Sequence, residues 1–235
     1  MDGYFITGTD TGVGKTLVAT GLLAAANEQG LRTVGIKPVA AGCFSAKTDS
    51  GSTLINADAL ALQSAASIAI DYRQVNPVAL EEPIAPHIAA ANSGIHMSAG
   101  ELVQHCRRVT ADSQAQFVIV EGAGGWLVPL NKTETMADFC TELGFPVIIV
   151  VGMRLGCLNH TLLTVQAVRA AGLSIAGWVA NCIEPDMTAL ADNLQSLQDL
   201  LSLPALGVVP YLGAMATADQ AAKYLQFDLL TRVIT

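Results

Sequence analysis

The segment Gly8-Thr9-Asp10-Thr11-Gly12-Val13-Gly14-Lys15-Thr16 lies between a strand-like run, Tyr4 to Thr7, and an Ala/Leu-rich stretch from Lys15 to Gln29 that stops at Gly30. Its glycines let successive backbone N–H groups turn toward one anionic centre, and the N-terminus of the following helix adds partial positive charge. Lys15 is placed to reach terminal phosphates, and Thr16 to offer a hydroxyl to Mg²⁺. Strand, glycine loop, Gly-Lys-Thr and helix in this order predict a phosphate-binding loop. Five residues separate Gly8 from Gly14, one more than the common spacing.

The rest of the chain supports the α/β setting that such a loop needs. Short β-branched runs alternate with longer Ala/Leu/Gln stretches, the pattern of strands buried on both faces and joined by helical crossovers. The expected fold is a doubly wound, mostly parallel sheet with helices on both faces. After Tyr4–Thr7, strands are expected at Thr33–Lys37, Val118–Glu121, Val147–Val151, Ala176–Asn181 and Leu206–Val209. Helices are expected at Gly100–Ser113, Thr135–Leu143, Asn159–Ala171, Ala189–Leu201 and Asp219–Leu230. Ala40 to Ser52, rich in Gly, Ser and Thr, reads as a mobile surface loop. With 51% hydrophobic and 14% charged side chains and no linker-like tract, residues 1–235 read as one domain with a large core, and disorder is excluded.

A net charge of −8 offers no basic surplus for a phosphate backbone, which argues against nucleic acid as a partner. No apolar run approaches the roughly 20 residues needed to span a bilayer, and the start Met1-Asp2-Gly3 lacks a basic, apolar leader, so no membrane role is expected. Five cysteines, none in a C-x-x-C pair, read as reduced residues of a cytoplasmic protein. His87, His96, His105 and His160 show no metal-ligand spacing, and Trp126 and Trp178 read as packing residues.

In open parallel sheets, ligands sit beyond the carboxyl ends of the strands. Glu121 ends the apolar run Phe117–Val120 and enters Gly122-Ala123-Gly124-Gly125, small residues that let backbone approach a phosphate. It is the expected second Mg²⁺ ligand. Lys37 ends the second strand and is placed to neutralise a transferring phosphate. For Asp58, in Asn56-Ala57-Asp58-Ala59-Leu60, an acid in a helix's first turn explains the pattern equally well.

These residues resemble the dethiobiotin synthetase family, and the likeness runs nearly from end to end. It is carried by Gly8-Thr-Asp-Thr-x-Val-Gly-Lys-Thr16, Lys37-Pro-Val-Ala40, Asn76-Pro77, Pro86-His87 and Val120-Glu-Gly-Ala-Gly-Gly-Trp126. Val150-Val-Gly152, Leu155-Gly-Cys-Leu-Asn-His160 and Ala176-Gly-Trp-Val-Ala-Asn181 follow in the family's order. The family's longer loop accounts for the extra residue between Gly8 and Gly14. The resemblance implies a homodimeric ligase that converts 7,8-diaminononanoate, CO₂ and Mg-ATP to dethiobiotin, ADP and phosphate through a carbamate and a carbamic-phosphoric anhydride.

It also implies residue roles. Gly12, Val13, Gly14, Lys15, Thr16 and Leu17 would wrap the phosphates, with Gly122, Ala123 and Gly124 nearby. Thr16, Asp58 and Glu121 would hold Mg²⁺, and Lys15 with Lys37 would stabilise the transferring group. Thr11 would face the carbamate. Asn181 would read the adenine within a pocket completed by Pro210, Tyr211 and Leu212. Gly156, Cys157, Leu158 and Asn159 would bind the substrate's tail carboxylate, contributed by the partner subunit. At Gly12 and Ala41 other members carry Glu and Ser. The loss of that carboxylate and that hydroxyl is expected to alter affinity rather than remove the chemistry.

Two other readings use the same loop. A Par/Min-like ATPase switch would carry a Lys where this chain has Asp10, and a membrane-binding C-terminal helix rich in Lys and Arg. A non-catalytic nucleotide-binding module would bind Mg-ATP without forming product, a reading favoured only by Gly12 and Ala41.

Overall fold

The computed structural model describes residues 1–48 and 51–231. Among these residues the strands are β1 (Asp2–Gly8), β2 (Thr33–Ile36), β3 (Val39–Ala41), β4 (Phe44–Thr48), β5 (Gly51–Ile55), β6 (Val78–Leu80), β7 (Phe117–Glu121), β8 (Val147–Met153), β9 (Ile175–Cys182) and β10 (Ala205–Val209). The helices are α1 (Lys15–Glu28), α2 (Ala57–Ala65), α3 (Tyr72–Val75), α4 (Pro86–Asn92), α5 (Ala99–Ser113), α6 (Met136–Leu143), α7 (Cys157–Ala170), α8 (Leu190–Leu201), α9 (Ala218–Ala222) and α10 (Asp228–Thr231). No described helix is long and apolar enough to cross a membrane.

Six strands form a parallel sheet in the order β10-β9-β8-β1-β7-β2. Side chains of a strand alternate between faces, so a strand covered on both sides must be apolar throughout. Accordingly Tyr4 and Ile6 join one hydrophobic cluster with Val18, Leu22 and Phe227, while Phe5 joins the other with Leu102, Phe139 and Val165. The central strands repeat the alternation, with Phe117 and Ile119 on the first side and Val118 and Val120 on the second. Trp178 is fully buried in β9, and Trp126 packs edge-on against Phe5 at 6.4 Å, so both serve the core.

This order puts β1 between β7 and β8, with Ile6 opposite Glu121 and Gly8 opposite Val150. The glycine loop therefore leaves the middle of the sheet, flanked by two other strand ends. β2 stops at Ile36 because Pro38 has no N–H for the ladder. The chain leaves the main sheet there, and β3 pairs in parallel with β6 (Val39 opposite Val78).

Two expectations fail. Ala40–Ser52 is not a structureless loop: it holds the end of β3 and all of β4, which pairs antiparallel with β5, Phe44 facing Ile55 and Ser45 facing Leu54. Asp49 and Ser50 lie outside the described residues. The single last helix, Asp219–Leu230, is instead two short ones, α9 and α10. Between them the backbone turns against the edge strand β10, where Gln226 N–H donates to the Leu206 carbonyl at 2.7 Å. Covering an open strand edge outweighs continuing the helix. A Cβ on Gly207 would lie 2.2 Å from the Tyr224 carbonyl oxygen, so this approach needs the glycine.

Candidate active site

α1 begins at Lys15, directly after Gly14 in the left-handed conformation (φ 88°). Lys15 is buried, and its Nζ donates to the Asp10 carbonyl at 3.0 Å, across the loop it would close on a phosphate. Burial lowers its pKa to about 8, and the neighbouring Lys37 charge adds to the shift, against the opposing pull of Glu121, Asp58 and Asp10. A bound phosphate favours the ammonium form. Nucleotide affinity should therefore be level below pH 8 and fall above it, by up to about tenfold per pH unit. Calorimetric titration with ADP from pH 7 to 10 checks this. Lys15→Gln should bind more weakly with no such slope, and a wild-type affinity that does not change between pH 7 and 9.5 would contradict the role.

Lys37 lies just past β2, and its Nζ reaches Glu121 Oε1 at 2.6 Å, Asp58 Oδ2 at 3.2 Å and the Gly122 carbonyl at 3.3 Å. Burial alone would lower its pKa, but the two carboxylates and their hydrogen bonds overcome that and leave it raised. The Lys37 ammonium is thus held charged while fully buried. Glu121 is 1% exposed, and its Oε1 also accepts from the Thr16 hydroxyl at 2.9 Å. Asp58 stands in the first turn of α2, where Asn56 caps the helix by accepting from the Asp58 and Ala59 N–H groups. The helix-turn and functional readings of Asp58 are therefore compatible, because that turn aims the carboxylate at Lys37.

The Glu121 Oε2 atom is buried without a hydrogen-bond partner. An orphaned carboxylate oxygen beside a hydroxyl and a second carboxylate suits a hard divalent cation. Among the described residues no three His, Cys, Asp or Glu side chains form a metal cluster. The remaining ligands would be phosphate oxygens and water, as is usual for Mg²⁺.

Two cavities meet at this cluster. One, of about 310 Å³, is lined by Gly12, Gly14, Lys15, Thr16 and Glu121. The other, of about 610 Å³, has largely apolar walls that include Val39, Ala41, Ile84, Pro86, Ala123 and Val128. Thr11, Lys37, Asp58 and Gly124 line both. Sequence reasoning missed Asn56, Ile84, Pro86 and Val128. An Asn two residues before Asp58 is a helix-cap signal that could have pointed to Asn56, whereas the apolar wall carries no chemical signature.

The remaining expected residues lie farther along the strand ends. Asn181 is buried at the end of β9, opposite Val209 of β10, so Pro210, Tyr211 and Leu212 start beside it. Its Nδ2 donates to the Val13 carbonyl at 2.9 Å, and its Oδ1 has no partner, an acceptor left for a ligand. Gly156 caps α7 in the left-handed conformation, and the N–H groups of Cys157, Leu158 and Asn159 open that helix two residues earlier than expected. These four residues line neither cavity. Leu155 beside them is 99% exposed, and Arg154 donates to the Asp10 carboxylate, linking this segment to the glycine loop. At Gly12 an added Cβ would meet nothing within 4 Å, so the loop rim is open there.

The fold matches that of a chain of the MinC:MinD cell division protein complex from Aquifex aeolicus, with a TM-score of 0.60, 14% identity, and coverage of all of this chain and 96% of that one. At this identity the likeness concerns the fold alone. Sheet order and glycine loop define a P-loop nucleotide-binding protein. A family model described as an AAA domain matches residues 2–218, and two curated ATP-dependent dethiobiotin synthetases (BioD) are similar along nearly their whole length. One, from Cellvibrio japonicus, is 56% identical, covering 97% of this chain and 96% of its own; the other, from Pseudomonas paraeruginosa, is 49% identical, covering 97% of each. The chain belongs to the dethiobiotin synthetase family.

Proposed function

We propose that this protein closes the ureido ring of dethiobiotin from 7,8-diaminononanoate, CO₂ and Mg-ATP, as one domain acting within a homodimer. The observation that carries this reading is the placement of one buried, charged lysine, Lys37, where a phosphate-sized cavity opens into a largely apolar one. A substrate amine nitrogen attacks CO₂ and releases a proton, giving a carbamate. The carbamate oxygen then attacks the γ-phosphorus as the bond to ADP breaks, and the second amine attacks the carbonyl carbon, expelling phosphate and releasing its proton as the ring closes. No protein nucleophile takes part. The chain supplies positioning and charge neutralisation, which suffice for this kind of transfer.

In this reading Lys15 and the Gly12–Leu17 backbone hold the β- and γ-phosphates, with Gly122, Ala123 and Gly124 along their flank. Lys37 would neutralise the transferring group, and Thr11, which lines both cavities, would face the carbamate. Thr16, Asp58 and Glu121 would hold Mg²⁺, which, when bound, offsets the charge of the phosphates. The apolar walls beside Ala41 suit the substrate's methylene chain. The unpartnered Oδ1 of Asn181 would accept from the adenine amine, with Pro210, Tyr211 and Leu212 against the ring. The tail carboxylate would bind at the N-terminus of α7 from a second copy, since Gly156–Asn159 line neither cavity of their own chain.

Incubation with 7,8-diaminononanoate, labelled bicarbonate and Mg-ATP tests the proposal. Amine-dependent label in the ureido carbon of dethiobiotin, with stoichiometric ADP, is expected. ATP hydrolysis independent of the amine and without labelled product would overturn it in favour of a nucleotide switch or a binding module.

A further inference from the structure

A closed circuit of hydrogen bonds starts at the Lys37 carbonyl and returns to the Lys37 ammonium. The carbonyl accepts from Asn76 Nδ2 at 2.7 Å, and Asn76 Oδ1 accepts from the Tyr72 hydroxyl at 3.2 Å. The Tyr72 oxygen in turn accepts from the Asn56 N–H at 2.7 Å. Asn56 Oδ1 accepts from the Asp58 N–H at 3.0 Å, and the Asp58 carboxylate reaches Lys37 Nζ at 3.2 Å. Three separate pieces of chain are joined in this way: the end of β2, the short helix α3 and the capped start of α2. Asn56 and Asn76 are buried, so a missing link would leave polar groups without partners.

We infer that Tyr72 is a positioning residue whose hydroxyl ties the strand end carrying Lys37 to the helix carrying Asp58, and so fixes the ammonium at the junction of the two cavities. The side chain touches neither cavity and acts only through Asn56 and Asn76. A phenol suits the place because it donates to one partner while accepting from the other. Burial, more than any neighbouring charge, raises its pKa, which keeps the proton that Asn76 requires.

The inference rests on the ring-forming reaction proposed above, and its test separates the two. Tyr72→Phe, which keeps the ring and removes the hydroxyl, should lower kcat about tenfold, with KM for ATP changed less than about twofold. Combined with Asn76→Ala, the loss should be clearly smaller than the product of the two single losses, as expected within one network. A second readout does not depend on turnover: limited acylation followed by peptide mass spectrometry should label Lys37 several-fold faster in Tyr72→Phe, with the exposed Lys132 unchanged. A purely structural role would lower Tm while leaving kcat per folded molecule and Lys37 labelling as in the wild type, and that result overturns the inference. If the wild type forms no dethiobiotin, the reaction assignment fails and the labelling alone decides the role of Tyr72.

Discussion

Lys37→Met is expected to abolish dethiobiotin formation, with kcat reduced at least about a thousandfold, the upper range for loss of one preorganised group that stabilises transition-state charge. ADP should still bind, because Lys15 and the loop backbone remain. The same change should destabilise the fold. Glu121 is 1% exposed and would keep a buried charge with no cationic partner at Oε1, a situation that costs about 3–5 kcal/mol and lowers Tm by roughly ten degrees in a chain of this size. Adding Glu121→Gln should recover part of that stability and none of the turnover. The pH dependence has a definite sign. The folded-state pKa of Lys37 is raised, so its contribution to stability is present below the ordinary lysine value and is lost only as pH rises through the higher one. Thermal melts of the single and double variants from pH 7 to 11, with product measured by mass spectrometry, check all of this. A Lys37→Met protein that retains a tenth of wild-type turnover would remove Lys37 from the reaction.

How far the sequence disclosed this site depends on what kind of constraint each residue obeys. The glycine loop is legible because its residues are fixed by identity: left-handed turns at Gly12 and Gly14, a cation, then a hydroxyl. Lys37 and Glu121 are legible because each is a charge ending an apolar run, and in a parallel sheet those ends converge. Asp58 is ambiguous in sequence because an acid in a helix's first turn and the acid that pairs with Lys37 are the same residue in the same place. The links from Asn56 to Tyr72 and from Asn76 to Lys37 join distant pieces of chain, which no local pattern encodes. The β4–β5 pair escaped for a related reason: its Gly, Ser and Thr content reads as loop, while its stability comes from the antiparallel pairing of the two strands. Residues 223–227 depart from their helical pattern because β10 presents an open edge, a demand set by the assembled sheet.

Gly14→Ala is expected to reduce ADP affinity at least about a hundredfold, or roughly 2.7 kcal/mol, and the cause can be separated into two parts. Any Cβ at φ 88° carries left-handed strain of about 1–2 kcal/mol. At Gly14 the Cβ would also lie 2.1 Å from Asn181 Nδ2, and something must move. Asn181 is buried, and the displaced group would be the amide that holds the Val13 carbonyl and presents its free oxygen beside the loop. Gly12→Ala isolates the first part, since Gly12 is also left-handed (φ 73°) but its Cβ meets nothing within 4 Å. Its loss in affinity should stay within about tenfold, the share of the strain that the loop takes up again on binding. Calorimetric titration of both variants with Mg-ADP gives the comparison. Equal losses would mean that backbone strain accounts for everything, and would leave Asn181 without the role of joining the glycine loop to the proposed base pocket.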